Sequence, residues 1–160
     1  MEKVILKYKE NKDIFDFYWA YNNFYNKVKD LGYGVGIMSW PFAEELLRRI
    51  YNMKKYKGDE YDAILNEDNT EKYIEIKTTI NINNNKRVDL NSKNKFSLLY
   101  WNDLDLEKNK MTIKVFEYKD AINGIPKDEK KNISLQDLKN CIKTEVYKIN
   151  EKSIVKISTY

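Results

Sequence analysis

Near residue 58 the hydrophobic pattern of this chain changes from the three-and-four spacing of helices to the alternation of strands, and this switch limits the folds open to it. Before it, Ile14, Phe17, Tyr18, Tyr21, Phe24, Tyr25 and Val28 predict an amphipathic helix over 13–30, with Asp13 as its N-cap and a broad aromatic face. Gly32, Gly34 and Gly36 predict a turn. The triplet lacks a preceding strand and a Lys-Ser/Thr ending, so it is not a phosphate loop. Ser39 and Pro41 then open a second helix with its stripe at Phe42, Ala43, Leu46, Leu47, Ile50 and Met53. After it, Glu60 to Leu65 and Glu71 to Thr79 read as a hairpin around Asn66-Glu67-Asp68-Asn69. Further strands are expected at Phe96–Trp101, Met111–Tyr118, Val146–Ile149 and Ile154–Ile157, with a short helix at Ser134–Ile142. The order predicts an α/β or α+β fold, a mixed central sheet flanked by helices.

The 160 residues contain no repeat and no Gly/Ser/Pro linker, which suits one domain with a substantial core. Within 1–160 we expect an N-terminal helical segment over 1–38 and the remainder of the domain over 39–160. Neither a run of about 18 apolar residues nor a signal-peptide pattern is present, so a soluble cytoplasmic protein with no membrane partner is expected. The lone Cys141 has no disulfide partner, and the lack of histidine excludes His-based triads and the common zinc sites. Chemistry is left to carboxylates, lysines, hydroxyls or a hard metal such as Mg²⁺.

Strand alternation puts Glu75 and Lys77 on one face of the second hairpin arm, with Ile74 and Ile76 on the other. Pairing about the 66–69 turn brings Asp62 near Glu75, so that two carboxylates meet beside one ammonium. Such a pair suits Mg²⁺, which takes one or two protein carboxylates and keeps other positions for water and phosphate oxygens. A lysine there can orient an attacking water and neutralise charge growing on a phosphate. The plainer alternative is a solvent-facing Glu/Lys pair on a half-exposed strand.

The segments Gly58-Asp59-Glu60-Tyr61-Asp62-Ala63 and Tyr73-Ile74-Glu75-Ile76-Lys77-Thr78-Thr79 together resemble the PD-(D/E)XK nuclease core. The element order over most of the chain is similar to that of small type II restriction endonucleases. The resemblance implies a restriction-endonuclease-like core and Mg²⁺-dependent hydrolysis of double-stranded DNA at a short site, by a homodimer. It carries Asp62 and Glu75 over as metal ligands and Lys77 as the catalytic lysine. Tyr61-Asp62 stands where the family has Pro-Asp. The family often adds an acid from the first core helix. Glu44 and Glu45 both qualify, and helical projection sets Glu45 slightly nearer the apolar stripe. For either one the alternative is a first-turn acid complementing the helix dipole.

The segment Asn81 to Lys95 reads as a loop leaving this site. Lys86, Arg87, Asn91, Lys93 and Lys95, set against the single acid Asp89, are candidates for DNA contact, Arg87 above all for guanine; a solvated loop is the alternative. The aromatic helix over 14–28 has more apolar surface than one core stripe needs, which suits core or a dimer face. A junction resolvase or repair nuclease would share the core, and a non-catalytic nucleic-acid-binding module would use Glu75 and Lys77 only as a surface pair.

Overall fold

The computed structural model describes residues 2–32, 40–80 and 86–160, and all structural statements refer to these. They form a mixed α+β arrangement. The elements are β1 (Lys3–Lys7), α1 (Lys12–Asp30), α2 (Trp40–Tyr51), β2 (Lys54–Lys55), β3 (Ala63–Glu67), β4 (Thr70–Ile80), β5 (Arg87–Asn91), β6 (Leu98–Asp105), β7 (Lys110–Glu117), α3 (Tyr118–Ala121), β8 (Lys130–Ser134), β9 (Lys143–Ile149) and β10 (Ser153–Thr159). Eight strands make the main sheet in the order β1-β10-β9-β7-β6-β4-β3-β2, and β5 and β8 form a separate ribbon. Only β4 and β6 run parallel; the other pairs are antiparallel. No helix is long and apolar enough to cross a membrane.

Both faces of the main sheet are covered, because its central strands carry apolar residues in both phases of the alternation. On one face Ile74, Ile76, Tyr100, Leu104, Met111 and Ile113 pack against Phe15 and Tyr18 of α1 and Leu46 and Leu47 of α2. On the other, Leu99, Trp101 and Phe116 pack under Val88 and Leu90 of β5, Ile133 of β8 and Ala121 of α3. A lone two-stranded ribbon is marginal in water, so this second core is what fixes β5 and β8 in place.

The two predicted long helices and six strands are present, with ends displaced by a few residues. The 3–4 hairpin turns tightly at Asp68 and Asn69, both with positive φ (50° and 60°), as a two-residue loop of primed type requires. Helix α1 ends at Gly32 in the left-handed region, φ 71°. Gly34, Gly36 and Ser39 lie outside the described residues.

Several expectations are corrected. Residues 1–38 are not purely helical, since β1 joins the main sheet beside β10. Asp13 is not the N-cap of α1: Asn11 occupies that position, and Asp13 in the first turn pairs with Arg49 at 2.7 Å. The helix expected over Ser134–Ile142 is a single 3₁₀ turn at Leu135–Asp137. Ser134 does cap it, its Oγ accepting from Gln136 N–H at 3.3 Å, but Leu138 is already extended, Asn140 has φ 55° and Ile142 is exposed. Lys86–Lys95 is not a plain loop, because Arg87–Asn91 finds a ladder partner in β8.

Glu145 on β9 is the most deeply buried charge in the first core, at 1% exposure. It is ion-paired with Lys156 and, at 3.0 Å, with Lys143, and accepts hydroxyl donors from Tyr51 at 2.5 Å and Tyr147 at 3.0 Å. Burial pushes its carboxyl up, but these bonds, from Lys156 first, outweigh that and hold its pKa at about 2. A depressed folded-state pKa adds stability above the unfolded value of 4.5, lost as pH falls toward 2. Replacing Glu145 by Gln should cost roughly 2–4 kcal/mol in urea unfolding at neutral pH, with the difference narrowing under acid. Equal stability of both proteins at neutral pH would disprove this role.

Candidate active site

The candidate site forms where β3 begins and the chain ahead of it leaves β4. Asp62 N–H donates to Ile74 O at 2.9 Å, closing the last backbone bond of the ladder. The next donor along β4, Ile76 N–H, has no backbone acceptor on that side. It donates instead to Asp62 Oδ2 at 2.6 Å, so the carboxylate takes the place a strand carbonyl would have held. Continuing the Ala63–Ile74 pairing by one residue sets Asp62 opposite Glu75. The approach to Asp62 is held by a stack of rings, Tyr56 on Tyr61 at 3.9 Å and Tyr61 on Tyr73 at 4.6 Å. Gly58 lets the chain pass close over this stack: a Cβ there would lie 2.5 Å from Tyr56 Cε1.

Glu75 is 3% exposed on the ribbon-facing side of β4. Lys77 Nζ stands 2.7 Å from its Oε1, and Asn94 Nδ2 reaches both carboxylate oxygens at 3.3 Å. Burial raises the pKa of Glu75; Lys77 opposes the rise and the negative charge of Asp62 adds to it. Burial likewise raises Asp62, against the Ile76 N–H and the Lys77 and Arg48 charges. A cleft of about 370 Å³ beside Asp62 is lined by Glu44, Lys55, Tyr56, Lys57 and Tyr61.

Of the two helix acids, Glu44 is among the residues lining the cleft and Glu45 is not. Glu44 lines the cleft, and its pKa is raised by burial and then by the charge of Asp62. Glu45 accepts from Arg48 at 3.0 Å and Arg49 at 2.8 Å. Arg48, at 6% exposure, bonds both acids, reaching Glu44 from Nη1 at 3.3 Å and Glu45 from Nη2 at 3.0 Å, whereas Arg49 pairs with Glu45. Asn94 is the other site residue that sequence reasoning missed. Its only signal was its position between Lys93 and Lys95 in the basic segment.

The segment residues divide. Lys86 is ion-paired with Asp103, and Arg87 donates from Nε to Asn132 Oδ1 at 2.5 Å and from Nη2 to Asn132 O at 3.0 Å. Asn91 Oδ1 accepts from Lys93 N–H at 2.9 Å, Lys93 is exposed, and Lys95 sits 3.4 Å from Glu60. Asn81 and the residues up to 85 lie outside the described residues.

Among the described residues no three Asp, Glu, Cys or His side chains gather closely enough to hold a cation by themselves. Asp62 and Glu75 are two, which is what Mg²⁺ asks of a protein that leaves its other positions to water and substrate. Both are desolvated and repel each other, a donor set that a hard cation would relieve. A scan against protein-family models, a search of curated proteins and a search of solved structures each return no match to this chain.

Raised carboxyl pKa values have a thermodynamic consequence. Folding favours the protonated forms of Asp62 and Glu75, so their contribution to stability declines as pH rises through their folded-state pKa values. A divalent cation favours the ionised forms, and its stabilising effect must grow with pH. The rise in Tm produced by Mg²⁺ or Mn²⁺ should therefore be larger at about pH 8 than at about pH 5, and should vanish in the Asp62→Asn, Glu75→Gln double variant. A shift independent of pH, or one retained by that variant, would contradict the assignment.

Proposed function

We propose that the chain is a Mg²⁺-dependent endonuclease of PD-(D/E)XK type, with a restriction-endonuclease-like core, that hydrolyses phosphodiester bonds of double-stranded DNA at a specific short site. The observation that carries this reading is the meeting of Asp62, Glu75 and Lys77 where β3 and β4 part, with Glu75 buried and Asp62 and Lys77 half-buried. A solvated Glu/Lys pair would need neither the burial nor the second carboxylate opposite it.

In this reading Asp62 and Glu75 would hold Mg²⁺, which supplies Lewis-acid stabilisation of the phosphate and lowers the cost of forming the nucleophile. The chain's own groups do the rest. Lys77 Nζ, held by Glu75, presents its remaining donors to the attacking water and to the phosphate oxygen on which charge accumulates. Asn94 keeps the Glu75 carboxylate from rotating away. The Ile76 N–H fixes Asp62 in the plane of the sheet, and Glu44 adds negative potential from the helix side.

The test is purified protein with unmethylated plasmid, in Mg²⁺ and in EDTA. Discrete fragments that appear only with the cation are expected; structure-dependent nicking would point to a resolvase or repair nuclease instead. Lys77→Ala should lower the rate by roughly 100-fold or more while remaining folded, at a reduced melting temperature because Glu75 loses its partner. An inert wild type with both Mg²⁺ and Mn²⁺, or an equally active Lys77→Ala, would overturn the proposal.

A homodimer accompanies this reading, since two strands must be cut. Phe17, Phe24 and Leu31 are exposed at seven-residue spacing along α1, a line suited to packing on a second copy. Phe24→Asp should convert a dimer to a monomer in light scattering, and an unchanged mass would remove α1 from the interface.

A further inference from the structure

The β5–β8 ribbon presents two unlike faces. Val88 and Leu90 point into the second core, while Arg87, Asp89 and Asn91 alternate to the outside opposite Ser134, Asn132 and Lys130. The outer side chains are bonded into a chain across the strands. Arg87 donates to Asn132, Asn132 Nδ2 donates to Asp89 Oδ1 at 2.9 Å, and Lys130 Nζ lies 2.9 Å from Asp89 Oδ2. We propose that this outer face is the element that reads base edges of duplex DNA, entering the major groove with Arg87, Asp89, Lys130 and Asn132 as the specificity-determining set. The identity of the partner rests on the nuclease reading above; the recognition element does not follow from it.

Four observations converge. A two-stranded antiparallel ribbon fits a major groove about 12 Å wide, and Arg, Asn and Asp are the side chains whose donor and acceptor patterns match guanine, adenine and cytosine there. The charge is complementary: over residues 86–95 and 127–134, Lys86, Arg87, Lys93, Lys95, Lys127, Lys130 and Lys131 outnumber Asp89, Asp128 and Glu129. The set is preorganised, since Asn132 grips the Arg87 guanidinium at two points, through Nε and Nη2. The ribbon is also continuous with the catalytic residues. Asn94, three residues past β5, bonds Glu75; and Asp89, whose carboxyl is held below the usual range by Lys130 first and Asn132 next, also feels the Lys77 ammonium.

The experiment uses the whole chain and a randomised duplex library, in two arms: binding selection with Ca²⁺, and cleavage with Mg²⁺ followed by sequencing of the ends. Wild type should enrich one short motif. Asn132→Ala and Asp89→Asn, both exposed and checked by thermal melting, should lose discrimination at one or more positions of it by roughly tenfold or more, read as the ratio of preferred to substituted sequence. Variants that keep the wild-type motif unchanged, or a wild type that enriches none, would overturn the ribbon assignment. Selective binding lost in the variants without cleavage by the wild type would leave the ribbon standing and remove the nuclease; cleavage with an unaltered motif would do the reverse.

Discussion

The hydrogen bond from Ile76 N–H to Asp62 Oδ2 is the contact on which the site depends. It meets the backbone need of β4 at the point where its neighbour turns away, and does so with a charged acceptor instead of a carbonyl. One consequence is geometric: Asp62 cannot swing out without leaving a buried amide unpaired. A second is electrostatic, because the same bond brings an ionised oxygen beside Glu75 in a poorly solvated corner. Lys77, Arg48 and Asn94 offset that repulsion without cancelling it, and both acids remain harder to ionise than free ones.

The parallel pairing of β4 and β6 explains why the rest of the polar apparatus lies close by. Parallel neighbours cannot be joined by a tight turn, so the chain must cross over between Ile80 and Leu98. That crossover passes over the face bearing Glu75 and Lys77 and contributes both β5 and Asn94. Its far end is tied down by Tyr118, whose hydroxyl donates to Ser92 O at 3.0 Å, and by Ser92, whose hydroxyl donates to Pro126 O at 2.7 Å. The polar outer ribbon and the buried acid pair are therefore two parts of one connection.

What the sequence made legible followed periodicity. Helices α1 and α2 and the β3–β4 hairpin were readable because their apolar residues repeat at unambiguous intervals, and the hairpin register set Asp62 opposite Glu75 before any coordinates. Strands β1, β5 and β8 were not: Arg-Val-Asp-Leu-Asn alternates as a strand should, yet it lies among asparagines and lysines that favour loops, and its partner is more than forty residues away. The surroundings of Glu44 and Glu45 were not legible for a related reason. Arg48 bonds both acids, so the difference between them lies with Arg49, which takes Glu45 and is itself held by Asp13 from another helix.

The pairing of Lys3–Lys7 with Ser153–Lys156 joins residues from nearly opposite ends of the sequence. Until β10 is in place to receive it, β1 presents a row of open amides at that margin. The lysines at its two ends, Lys3 and Lys7, are the sort of residue that keeps an unfinished strand from zipping onto a neighbouring nascent chain. Because the entropy cost of closing a loop grows with its length, this seam is the one in the main sheet that chain entropy opposes most.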